Sequence, residues 1–346
     1  MAYANIGTPR FYVNEPAFLR ATGAEFHPTT DSAKNMERGV DVGRIISLNP
    51  TDIQDFTGGT QTNRITLYNT NGFNFIFYLG HNINSQSALT KLVDDNSVAM
   101  NGLAGTEINY HDSTTPSADY DGWSLKVFDN KIEHDCKPHW YTNSFKMGAI
   151  VTGVYYDMPH SPDLNLKMTI EMDGIKNIQS KGGATLSNAS YTKPADWGDA
   201  GAWQLGGASN LRSGRRVWDL SFSYLSDTDV FPVNAGQSHN FTIGSEGGYH
   251  TTTNNPTTDF SDIASDGVSF SSNILDGQDF FSVVWNKTMG GHLPFIFQPD
   301  GGGGVAGQGN FNPDQFAIAR FDMNSLQYDQ VANNVYNVKL KIRESW

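Results

Sequence analysis

Arg215-Arg216-Val217-Trp218-Asp219-Leu220-Ser221-Phe222-Ser223-Tyr224 decides the fold class, because Trp218, Leu220, Phe222 and Tyr224 alternate with Asp219, Ser221 and Ser223. Successive side chains of a strand point to opposite faces, so this alternation sets one face on a core and the other in water. The same pattern returns in Tyr336-Asn337-Val338-Lys339-Leu340-Lys341-Ile342-Arg343. Between the two, Phe280, Phe281, Val284, Trp285 and Thr288 fall at helical spacing within Asp279 to Thr288, and Gly290-Gly291 ends that stretch. An apolar run, Leu293-Pro294-Phe295-Ile296-Phe297, follows. Phe316 to Phe321 adds a further strand. The chemistry of this region is that of packing, with no catalytic signature in it.

Taken in order, the region is an Arg/Trp strand, a helix, Gly290-Gly291-His292-Leu293-Pro294-Phe295-Ile296-Phe297-Gln298-Pro299-Asp300, and a last strand running into Arg343-Glu344. This order resembles the tail-tube and distal-tail family of bacteriophage structural proteins, in the form found in environmental and marine phages. The likeness covers the last third of the chain. It implies a β-barrel with one packed α-helix and a structural role in a virion tail, assembled in the host cytoplasm. It also implies a ring of identical copies, a hexamer or another multiple of three, in contact with other tail proteins.

Composition agrees with a mainly β chain. Among 346 residues there are 35 Gly, aromatics reach 12% and charged residues only 17%, below the usual quarter. The length allows two domains. A formal charge of −13 disfavours a surface that coats nucleic acid, which needs clustered Lys and Arg, and no sequence-specific nucleic-acid partner is expected. A single cysteine, Cys136, excludes a disulfide framework within the chain. The opening residues lack the basic and apolar regions of a signal peptide, and no apolar run is long enough to span a membrane. Synthesis and folding in a cytoplasm are expected.

Residues 1–40 read as an extended amino-terminal arm, because Pro9, Pro16 and Pro28 among Gly7 and Gly23 block a continuous helix. Arg10-Phe11-Tyr12-Val13 is a short strand candidate within it. From Val42 the pattern strengthens: Ile65 to Tyr68 alternates, Phe73, Phe75, Phe77 and Leu79 share one face, and Asn71-Gly72 between them signals a hairpin. An aromatic strand ending in Leu79-Gly80-His81-Asn82 resembles phage minor-tail β-sandwiches of the discoidin, or galactose-binding, kind. Further strands are expected at Trp123 to Phe128, Trp140 to Phe145 and Ala149 to Tyr156, then along Leu164, Leu166, Met168 and Ile170. The expected organisation is the arm (1–40), a jelly-roll-like β-sandwich (41–175), connecting loops (176–213) and the barrel (214–346). Residues 234–278, rich in Ser, Thr, Asn and Gly, form a long surface loop in it.

Candidate chemistry is thin. Glu133-His134-Asp135-Cys136-Lys137-Pro138-His139 holds zinc-ligand types, but its spacing fits no paired zinc site, and a polar loop between strands is the better account. His160 lies beside Asp157 and Asp163 in a Pro-flanked turn, where carboxylates ordinarily bond to the local backbone rather than to calcium. Glu171 and Asp173 share a strand face, as a glycosidase pair would, yet nothing marks a cleft between them. No metal or cofactor is therefore expected, and no enzymatic activity. His81, Asn82, Trp123 and Trp140 are candidate glycan contacts at the sandwich loops. Arg215, Arg216, Trp218, Lys339, Lys341 and Arg343 are candidate subunit-interface residues, with the arginines facing acidic groups of a neighbour. The function expected is a structural protein of the distal tail or tail tip. The alternatives are a carbohydrate-binding module for host attachment and an envelope polysaccharide hydrolase.

Overall fold

The computed structural model describes residues 7–23, 42–49, 52–57, 63–64, 67, 72–81, 90–92, 117–120, 123–132, 136, 138–140, 144–171, 176–188, 215–231, 277–302 and 315–345. The chain is mainly β, and its largest element is an eight-stranded antiparallel sheet. Across it run Tyr155–Asp157, Arg10–Tyr12, Phe295–Gln298, Ala317–Phe321, Val335–Glu344, Arg215–Ser226 and Lys167–Glu171, with Tyr328–Ala332 as a further partner of Val335–Glu344. The two strands with strict alternation are neighbours here, in register from Val217 opposite Arg343 to Ser226 opposite Val335. A bulge between Phe222 and Leu225 shifts the pattern. Tyr224 sits in it with φ 64° and its side chain in solvent, so Leu225 takes the core place that the alternation assigns to Tyr224.

The next strands are apolar on both faces because both are covered. Phe11, Phe295, Phe297, Ala319 and Phe321 join Trp218, Leu220, Phe222, Val338, Leu340 and Ile342 in one core. Tyr12, Ile296 and Ile318 point the other way, onto Phe75, Phe77, Leu79, Ala149 and Val151 of a second sheet. That second sheet has four strands, in the order Ala149–Gly153, Phe73–Leu79, Trp123–Ile132 and Ser117–Tyr120. Each fully buried Phe in such a stack contributes about 1.5–3 kcal/mol of transfer free energy. The chain leaves the second sheet for the main one after Gly153, where φ is 151° and a Cβ would stand 2.7 Å from the Val13 carbonyl oxygen.

Several expectations change. Among the described residues none of the sheets closes into a barrel, and the strand order of the main one runs from Tyr155–Asp157 to Lys167–Glu171. Those two strands fall within the span 41–175, yet they belong to the main sheet. Arg10–Tyr12 does not sit on an arm; it lies between Phe295–Gln298 and Tyr155–Asp157. Arg10 locks it there by a bidentate pair to Asp157 at 2.6 and 2.7 Å, with its guanidinium 3.9 Å from the Tyr155 ring centre. Pro16 starts a helix instead of blocking one. In Glu15–Ala21 the Asn14 side chain caps the first turn, where proline has no N–H to satisfy.

The hairpin expected at Asn71-Gly72 falls largely on residues 65–66 and 68–71, which lie outside the described residues. Phe73–Leu79 pairs with Ala149–Gly153 and Trp123–Ile132, while Leu67 bridges to Cys136. The stretch from Asp279 to Thr288 is helical as its spacing predicts, but Phe281–Asn286 is wound as a π-helix. Asp279 accepts the Ser282 N–H at 2.9 Å at its start. In the span 176–213, Lys176–Gln179 and Thr185–Asn188 form a hairpin. Residues 189–213, and all of 234–278 except the last two, lie outside the described residues.

Candidate functional site

The face of the main sheet that meets the second sheet is apolar only where it is covered. Farther along the same face, over Val335–Glu344, Arg215–Ser226 and Lys167–Glu171, the side chains are charged. Register lays them in rows: Lys167 opposite Asp219, and Asp219 opposite Lys341. Lys341 Nζ then reaches Asp322 Oδ2 at 2.7 Å. Next to this row, Glu171 stands opposite Arg215, and the Arg343 guanidinium holds the Glu171 carboxylate at 2.9 Å. The Asp322 hydrogen bond and charge, with smaller help from Asp219 and Glu171, raise the Lys341 ammonium above its ordinary pKa, so it stays charged. Lys167, Asp219, Asp322, Lys339 and Lys341 line an open cavity of about 480 Å³. Its chemistry is ionic, suited to charged groups of a partner.

The interface candidates divide on this geometry. Lys339, Lys341 and Arg343 lie on the open face, as does Arg215. Arg216 and Trp218 point into the fold. Trp218 is buried against Phe297, with ring centres 5.2 Å apart. The Arg216 side chain grips Glu344 at 3.0 and 3.1 Å and donates to the Phe316 carbonyl at 2.6 Å. The acidic partner expected on a neighbour is thus found for Arg216 within its own chain. Asp219 and Asp322 were not singled out from sequence. Asp219 is legible as the polar position of an alternating strand, whereas Asp322 reaches the row only through tertiary pairing.

The glycan candidates do not form one described cluster. His81 is buried at 3% exposure, at the end of Phe73–Leu79, and Asn82 lies outside the described residues. The backbone of Trp123 pairs with Leu79 in the second sheet, whereas Trp140 ends a strand of a separate three-stranded sheet.

The turn around His160 is occupied by structural work. Asp163 accepts from Ser223 Oγ at 2.8 Å, Asp157 is held by Arg10, and His160 Nδ1 lies 2.8 Å from the Ser161 carbonyl. Cys136 is buried and bridges to Leu67, and residues 133–135, 137 and 173 lie outside the described residues. No group of three or more His, Cys, Asp or Glu able to hold a metal is present among the described residues. Among them, too, no helix is long and apolar enough to cross a membrane. Comparison with family models, with curated proteins and with solved structures finds no match.

Proposed function

We propose that this chain is a structural protein of a bacteriophage tail, at the distal tail or tail tip, whose copies join into a ring. The observation that carries this reading is the open charged face of the main sheet. Arg215, Lys167, Lys339, Lys341 and Arg343 outnumber Asp219, Asp322 and Glu171 there, on a chain whose net charge is −13. The rest of the chain therefore carries a still larger net negative charge. One copy offers a locally basic sheet face, and its neighbour offers acidic surface. A contact between two different patches, repeated by rotation, generates a ring when the rotation closes. The order of segments from the Arg/Trp strand to Arg343-Glu344 supports placing such a ring in a phage tail.

Native mass of the purified full chain, followed by negative-stain imaging, tests this. A closed ring with a central channel is expected, and it should come apart when Lys339→Glu and Lys341→Glu are combined. Raising the salt concentration should weaken it in parallel, since exposed charges are screened. A chain that stays monomeric at every concentration rules the ring out.

A further inference from the structure

Among the described residues the Lys167–Glu171 strand ends the main sheet: Arg215–Ser226 pairs with one side of it, and the sheet order stops there. Its sequence alternates as a half-buried strand should, yet Met168 and Ile170 are each 55% exposed and nearby Leu164 is 92% exposed. An unpaired edge with apolar side chains is a template for another strand unless charge, proline or a bulge protects it. Within these five residues there is no proline, and the register to Arg215–Ser226 runs without a shift.

The segment Lys167-Met168-Thr169-Ile170-Glu171 is complementary to itself when reversed. We propose that this strand pairs with the same strand of a second copy, antiparallel about Thr169, joining two main sheets into one across a two-fold axis. In that register Lys167 faces Glu171 of the second copy, Met168 faces its Ile170, and Thr169 faces Thr169. Both charged pairs are of opposite sign, and Met168 and Ile170 make a shared apolar row on the other face. A parallel in-register pairing would set Lys on Lys and Glu on Glu, which is repulsive.

The flanking charges support the same register. Lys167 makes no ion pair among the described residues, although it begins the alternating row Lys167, Asp219, Lys341, Asp322. The incoming Glu171 would extend the alternation by one place beyond the edge. An isologous contact of this kind closes at two copies. It uses the strand edge at the rim of the open face, shares only Lys167 and Glu171 with the ring contact, and does not depend on the tail reading.

The test is sedimentation of the full chain over a wide concentration range, with far-UV circular dichroism on every variant. The wild type should reach twice the 38.0 kDa of one chain, or twice the mass of its ring. Lys167→Glu alone and Glu171→Lys alone should each weaken the pairing by roughly tenfold, because two symmetric pairs turn repulsive. The combined reversal should restore it, which a merely structural effect would not do. In a Cys136→Ala background, Thr169→Cys should form a covalent pair of chains on oxidation, and Tyr224→Cys should not. Association that ignores both reversals, or that the combined reversal fails to restore, overturns the proposal. So does a covalent pair formed equally well from Tyr224→Cys. Particles opened by the Lys339/Lys341 reversal but indifferent to Lys167→Glu would keep the ring and discard this pairing.

Discussion

Lys287 and Glu15 form an ion pair 2.9 Å long with side-chain exposures of only 3% and 1%, joining the turn after the π-helix to the first helix. Desolvation makes such a pair a poor source of net stability, while removing one partner strands a charge. Lys287→Met should therefore cost about 3–5 kcal/mol in urea unfolding, and adding Glu15→Leu should recover much of it. A double variant that loses as much as the two single variants summed would show that the pair is not coupled. Tyr12 makes a second residue-scale case, its hydroxyl donating to Gln298 Oε1 at 2.8 Å inside the core. Burial raises its phenol above the ordinary value despite the opposing pull of Arg10, and burial raises Tyr156 likewise. A raised phenol keeps its proton longer in the folded state. Its stabilisation is complete below about pH 10, the unfolded value, and is lost as pH climbs past it. Unfolding free energy should fall from about pH 10 upward, and Tyr12→Phe should flatten the slope by up to about 1.4 kcal/mol per pH unit. A Tyr12→Phe profile parallel to the wild type would contradict this.

Among elements, the π-helix depends on what it packs against. Phe280, immediately before it, meets Phe11 and Phe321 with ring centres at 5.6 and 6.2 Å. Gly291, just after it, has φ 88°, and a Cβ there would stand 2.7 Å from Phe321 Cβ. Gly291→Ala should destabilise by more than about 1 kcal/mol. Gly182→Ala, in the turn of the exposed hairpin with nothing nearer than 3.9 Å, should stay within about 0.5 kcal/mol. Similar melting shifts for the two would remove the steric argument. Strands covered on one face were legible in sequence because water and core impose the period-two pattern, as along Trp218 to Phe222 and Val338 to Ile342. Helix Glu15–Ala21 is hidden in the sequence because Pro16 alone reads as a breaker, and only Asn14 before it makes it a starter. Met168 and Ile170 show the converse limit. Alternation marks two faces of a strand, but whether anything covers the apolar one is decided by sheet order.

For the whole molecule, the barrel expectation came from likeness, and no local pattern reports whether a sheet closes. The charged residues of the candidate surface were partly legible, since Lys339, Lys341 and Arg343 are the polar positions of an alternating strand. Trp218 is part of the alternation that marks the core face, and Arg216 follows from it. Val217 shares a face with Asp219, so the parity that sends Trp218 inward sends Arg216 inward as well. At this scale the salt response of the proposed ring and its loss with Lys339→Glu and Lys341→Glu are the outcomes to measure.

Arg10–Tyr12 has a temporal consequence as well. Tyr12 and Gln298, which its hydroxyl meets, are 286 residues apart in sequence. At a ribosomal pace of about 5–20 residues per second, the nascent strand waits roughly 15–60 s for that partner. For most of that interval Phe11 lacks Phe280, Phe295, Phe297 and Phe321, the aromatic bed it occupies in the finished sheet, and Tyr12 and Phe77 lack Phe316. Synthesis of this chain therefore runs with a sticky, half-built core open to solvent. Yield should depend on chaperone supply and on slow growth at low temperature more than on the stability of the finished fold.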